Sequence, residues 1–185
     1  MKILLVVDMQ HDFIDGSLGS TEAQAIVPRV VDKIKECAAD PNYAIVYTRD
    51  THFDNYLHTR EGKYLPVEHC VRGTGGWTIP TDIYNASEGA HWREIIDKYT
   101  FGSYGLPEML DTIFECVKFD ESEIESIEII GLCTDICVIS NALILKSQYY
   151  ETTPIIVYAD CCAGVTPAKH EAALEVMRSC QIDVI

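Results

Sequence analysis

Short apolar runs alternating with helical patterns constrain this chain more than any other feature. Lys2–Val7 is mostly apolar, partly β-branched, and stops at Asp8; residues 43–48, 126–130, 155–159 and 182–185 read the same way. Residues 22–39 carry Ala25, Ile26, Val30, Ile34 and Cys37 at helical spacing. Helices are also expected over 108–117, 135–149 and 167–180, the last with proline in its first turn. Strands that alternate with helices imply right-handed crossovers and a parallel sheet covered on both faces. The expectation is therefore an α/β, three-layer doubly wound sandwich with a mainly parallel central sheet of about five or six strands, folding as one domain over residues 1–185. Ligands in such sheets bind beyond the carboxyl ends of the strands. Asp8, Asp50, Cys137 and Asp160 all fall at or just past predicted strand ends.

Gly131 breaks the run that ends at Ile130, and the helical pattern resumes by Ile136. Cys137 thus falls in a strand-to-helix turn, at or near a helix N-terminus. Unpaired N–H groups and the positive end of the helix dipole stabilise a thiolate there, and the same groups can hold a developing oxyanion. This makes Cys137 a candidate nucleophile, whereas most buried cysteines only pack. Asp8 then has two readings: a turn residue, or the general base that takes the thiol proton. Lys98, in Asp97-Lys-Tyr-Thr-Phe-Gly-Ser103, is the candidate cation that compensates a desolvated Asp8; the segment before it reads as a short helix. Cys133 and Cys137 have three residues between them rather than two, so a CxxC redox or zinc motif is absent.

Residues 49–91 are polar, rich in Gly and Pro and weakly periodic, and a long irregular segment inside a domain is usually functional. It contains Asp50-Thr-His52, His58, Glu61 and His69. A carboxylate and an imidazole two residues apart on extended chain point to the same side. With two further imidazoles and a carboxylate they supply enough N and O donors for a divalent ion, Zn²⁺ by default, with Fe²⁺ or Mn²⁺ compatible. Gly73-Thr-Gly75-Gly76 lacks the following lysine and helix of a phosphate loop.

The formal charge of −15 argues against a nucleic-acid or anionic-membrane partner. No apolar stretch reaches membrane-spanning length, and the N-terminus leads through one lysine into a strand, unlike a signal peptide. A cytoplasmic location is expected, with the eight cysteines mostly as thiols.

Four blocks in this order resemble the isochorismatase-like cysteine hydrolases, and within them the nicotinamidases. They are Val6-Val-Asp8-Met-Gln-His-Asp-Phe13; Asp50-Thr-His52 with Pro66-Val-Glu-His69-Cys-Val-Arg-Gly-Thr74; Lys98-Tyr-Thr-Phe-Gly-Ser103; and Gly131-Leu-Cys-Thr-Asp-Ile-Cys137-Val. The resemblance implies a catalytic triad of Asp8, Lys98 and Cys137, with the backbone N–H groups of Cys133 and Cys137 as oxyanion hole and a cis Leu132–Cys133 bond. It implies a metal held by Asp50, His52, His69 and either His58 or Glu61, with Glu61 the closer match to the family pattern. Phe13, Tyr64 and Tyr104 are the candidate ring-stacking residues, because the tryptophan that some nicotinamidases place before Pro-x-His is absent. The implied reaction is hydrolysis of a small-molecule amide, nicotinamide to nicotinate and ammonia, by a homo-oligomer. A metal-free amidohydrolase of carbamoyl or ureido compounds, or a non-enzymatic metal or thiol sensor on the same fold, are the alternatives.

Overall fold

The computed structural model describes residues 1–117, 124–149 and 151–185. Six parallel strands form one sheet: β1 (Lys2–Val7), β2 (Tyr43–Asp50), β3 (Trp92–Lys98), β4 (Ser126–Leu132), β5 (Ile155–Ala163) and β6 (Asp183–Val184), in the order β3-β2-β1-β4-β5-β6. The winding direction reverses between β1 and β4, so the crevice above that pair is the switch point where doubly wound sheets place ligands.

Burial on both faces explains why the central strands read as unbroken apolar runs. Ile3, Leu5 and Val7 of β1 enter a cluster that includes residues of α5 (Leu106–Val117), α6 (Ile139–Gln148) and α7 (Pro167–Ser179). Leu4 and Val6 enter the opposite cluster, under α2 (Thr21–Ala38). Pro167 occupies the first turn of α7, behind the Thr166 cap that accepts from the Lys169 N–H. Shorter helices, α1 (His11–Ile14), α3 (Arg60–Tyr64) and α4 (Thr81–Asn85), build the loops above the sheet. Among the described residues no helix is long and apolar enough to cross a membrane, and all eight cysteines are free thiols.

Three expectations need correction. Lys98 does not follow a short helix; it ends β3, an edge strand whose outer positions Arg93 and Glu94 are exposed, so the apolar signal of a buried strand is missing. Asp160 is not at a strand end, because β5 passes through a register irregularity opposite Ile129–Gly131 and continues to Ala163; its exposed backbone carbonyl accepts from Arg29 at 2.6 Å. The helix expected from 135 begins as a π-helical turn, Thr134–Val138, and becomes α-helical only at Ile139.

Candidate active site

Asp8 is the first residue past β1 and is wholly buried, with a φ of 48° that aspartate tolerates better than most residues. The Thr48 hydroxyl donates to Asp8 Oδ1 at 2.7 Å, and Lys98 Nζ lies 2.7 Å from Oδ2. Parallel pairing of β2 and β3 sets Asp50 opposite Lys98, and register alone thus delivers the lysine to the crevice. The Lys98 ammonium, also wholly buried, lies 3.5 Å from Cys137 Sγ and 3.3 Å from Asp50 Oδ1. The three residues expected to form a triad therefore meet, although they come from three separate strand ends.

Gly131 makes the meeting possible. Its φ is 120°, and a Cβ there would drive into the backbone of Val7. Only glycine lets β4 approach the end of β1 this closely, which brings the turn carrying Cys137 beside Asp8. The Leu132–Cys133 peptide is cis, as the resemblance implied.

Around the thiol, burial and charge act against ionisation. Burial pushes the Cys137 pKa well above its ordinary value, and the Asp8 carboxylate pushes it further, against a smaller opposing effect of Lys98. Both effects favour the protonated thiol over the thiolate. Asp8 is raised as well, by burial first, with Lys98 opposing. On Lys98 burial disfavours the charge, but the neighbouring carboxylates, Asp8 foremost and Asp50 with it, outweigh it and hold the ammonium above the ordinary lysine range.

Beside this centre, one donor atom from each of Asp50, His52, Glu61 and His69 lies within 4.8 Å of the others. His52 Nε2 is 3.0 Å from Asp50 Oδ2 and 3.6 Å from Glu61 Oε1; His69 Nε2 is 3.6 and 3.8 Å from the same atoms. His52 Nε2 is buried without a hydrogen bond. His69 Nδ1 sits 2.8 Å from the Val67 carbonyl, a contact that fixes the ring so that Nε2 faces the carboxylates. Two imidazole nitrogens and two carboxylate oxygens converging on one point suit a divalent cation. Burial opposes ionisation of Asp50, yet His52, His69 and Lys98 together hold it well below the usual carboxylate range. Glu61 is the fourth donor of this group; His58 is exposed in a separate 3₁₀ turn, Tyr56–His58, outside the cluster.

Several supports of the site carried no sequence signal of their own. Gln10 donates to the Asp50 carbonyl at 2.9 Å and accepts from the Asp50 N–H at 2.7 Å, locking the two strand ends together. Asp12 accepts from the Cys70 N–H at 2.7 Å and so anchors the residue after His69. The Tyr56 ring packs on both His52 and His69, at 4.6 and 4.9 Å between centroids.

A cavity of about 540 Å³ opens over Cys133, Cys137, Asp50, Glu61 and His69. Phe13 and Tyr64 line it, Tyr64 while 77% exposed at the rim. Tyr104 does not: it is 91% exposed in the turn before α5 and outside the lining, and Phe101 provides the aromatic wall on that side. Leu18, Ile136 and Val165 add apolar surface. Apolar walls with a few convergent polar groups are the usual make-up of a small-molecule site.

The fold and this site define a member of the isochorismatase domain family: the chain belongs to it, the family's profile matching residues 2–185. It is similar to the nicotinamidase/pyrazinamidase of Mycobacterium tuberculosis, 27% identical over 190 residues that cover 100% of this chain and 98% of that protein. Among solved structures it is similar to the pyrazinamidase of Pyrococcus horikoshii in complex with zinc, at 28% identity and a TM-score of 0.74, covering 100% and 98% of the two chains. It also resembles the nicotinamidase of Staphylococcus aureus, at 26% identity and a TM-score of 0.71, covering 99% and 97%.

Proposed function

We propose that this protein is an amide hydrolase with Cys137 as nucleophile, converting nicotinamide to nicotinate and ammonia. The observation that carries the reading is the wholly buried Asp8–Lys98 pair against the Cys137 thiol, beside a four-donor cation cluster in the same cavity. In the proposed sequence Asp8 takes the thiol proton as sulfur attacks the amide carbonyl, and Lys98 holds the carboxylate charge that burial disfavours. The backbone N–H groups of Cys133 and Cys137 hold the carbonyl oxygen as it gains charge. Asp8 then gives the proton to the leaving ammonia, and water hydrolyses the thioester with Asp8 again as base.

Asp50, His52, Glu61 and His69 would hold one divalent ion, which we take to be zinc, as in the Pyrococcus relative. Such an ion supplies a coordination site for a ring nitrogen and thereby orients an aromatic amide. The pairing of cation cluster and thiol favours nicotinamide over carbamoyl or ureido substrates. We further propose that the chain works as one domain over residues 1–185, in the cytoplasm and as a homo-oligomer.

Alkylation tests the nucleophile. Iodoacetamide should inactivate the enzyme by modifying Cys137, and nicotinamide should slow the modification; full activity after complete Cys137 alkylation would refute the assignment.

A further inference from the structure

Asn141 is wholly buried in the first turn of α6, where asparagine is a poor helix former and its neighbours Ala142 and Leu145 pack in the core. An unbonded side-chain amide there would be costly, so its partners identify its task. Asn141 Nδ2 donates to the Cys137 carbonyl at 2.8 Å and to the Phe101 carbonyl at 3.3 Å, while Oδ1 accepts from the Ser103 N–H at 2.9 Å. One bond is local to the helix; the other two cross to the loop that follows β3.

That loop forms part of the site. Phe101 walls the cavity, and the Thr100 carbonyl accepts from Lys98 Nζ at 3.2 Å. Gly102 lies flat on α6, where a Cβ would meet Ser140 and Ile144. Elsewhere the loop is half exposed, Tyr99 at 56% and Phe101 at 47%, with Tyr99 stacked on Phe53 at 5.8 Å between ring centroids. The bonds to Asn141 tie its backbone to the helix that continues from the turn carrying Cys137.

We propose that Asn141 is a positioning residue for this site. It fixes the 99–103 loop so that Phe101 closes one wall of the cavity and Thr100 presents its carbonyl to Lys98, and it holds both in register with Cys137. The kinetic consequence rests on the nicotinamidase reading; the structural one does not.

The test compares wild type with Asn141→Ala, Asn141→Thr and the control Ser147→Ala, which removes an exposed hydroxyl bonded within α6. Threonine can bond back to the Cys137 carbonyl four residues earlier but lacks the reach to hold the loop, so it separates the helix-local role from the clamp and protects against loss of the fold. Chymotrypsin under native conditions, with cut sites located by mass spectrometry, reports how often the loop opens. Cleavage after Phe101 should rise about tenfold or more in both Asn141 variants and stay at the wild-type rate in Ser147→Ala. With nicotinamide, KM should rise more than kcat falls, since the wall is lost while the thiol remains. Wild-type cleavage after Phe101 in a folded Asn141→Thr would overturn the proposal. If wild type releases no ammonia from nicotinamide, the substrate reading fails, and cleavage still decides the clamp.

Discussion

Lys98 Nζ lies 2.7 Å from Asp8 Oδ2, and both side chains are completely removed from solvent. A buried ion pair adds little to stability compared with an apolar pair, but removing one partner leaves an uncompensated charge. Lys98→Met should therefore cost about 3–5 kcal/mol in urea unfolding. Asp8→Asn should be milder, because it removes a carboxylate that burial already disfavours. Equal destabilisation by the two would contradict a pair whose lysine compensates both Asp8 and Asp50.

The same pair sets the pH response. The pKa of Asp8 is raised, chiefly by burial, so its base form is lost on acidification above the ordinary aspartate range. The kcat/KM profile should show an acid limb above 3.8, the usual carboxylate value. Asp8→Asn should abolish that limb together with the activity. For stability the sign is set by Lys98, whose folded pKa lies above its usual 10.5. Its contribution is complete below that pH and disappears only as pH climbs through the higher folded value. Unfolding measured from pH 7 to 10 should show no loss from this group.

Metal content separates Glu61 from His58. His52→Ala and Glu61→Gln should each weaken divalent-ion binding by at least about 100-fold, read by elemental analysis after dialysis. His58→Ala should retain the wild-type content. Full occupancy in Glu61→Gln, or its loss in His58→Ala, would reassign the fourth ligand.

Gly131→Ala should be among the most damaging single-methyl additions in the chain. The new Cβ would strike the Val7 backbone, at a φ of 120° that side chains rarely adopt. A loss of about 1–3 kcal/mol in thermal unfolding, with activity falling in the remaining folded protein, is expected. Unchanged stability would mean that β4 and β1 can separate without consequence.

The doubly wound architecture was legible because β1, β4 and much of β2 and β5 are buried and write themselves as apolar runs with sharp ends. Asp8, Asp50 and Cys137 could be placed at strand ends for the same reason, and four blocks of sequence brought Lys98, His52, Glu61 and His69 into the picture. What stayed hidden depends on long-range geometry. β3 is an edge strand with a polar outer face, so Trp92–Lys98 lacks the alternation that marks a strand. Thr48, Gln10 and Asn141 matter through hydrogen bonds across roughly 40 residues of sequence, which no local pattern encodes. Tyr104 and Phe101 are near neighbours in sequence, and only the direction of the loop makes one a wall and leaves the other in solvent. The burial and the Asp8 charge that raise the Cys137 pKa are likewise products of the assembled site.

Ammonia release from nicotinamide by purified wild type and Cys137→Ala, with bound metal quantified in both, tests the central claim most directly. The account predicts turnover by wild type and none by a folded Cys137→Ala that keeps its metal, since the four donors of that cluster do not include the thiol. Turnover by the variant would contradict the cysteine mechanism, and a metal-loaded wild type without activity would contradict nicotinamide as the substrate.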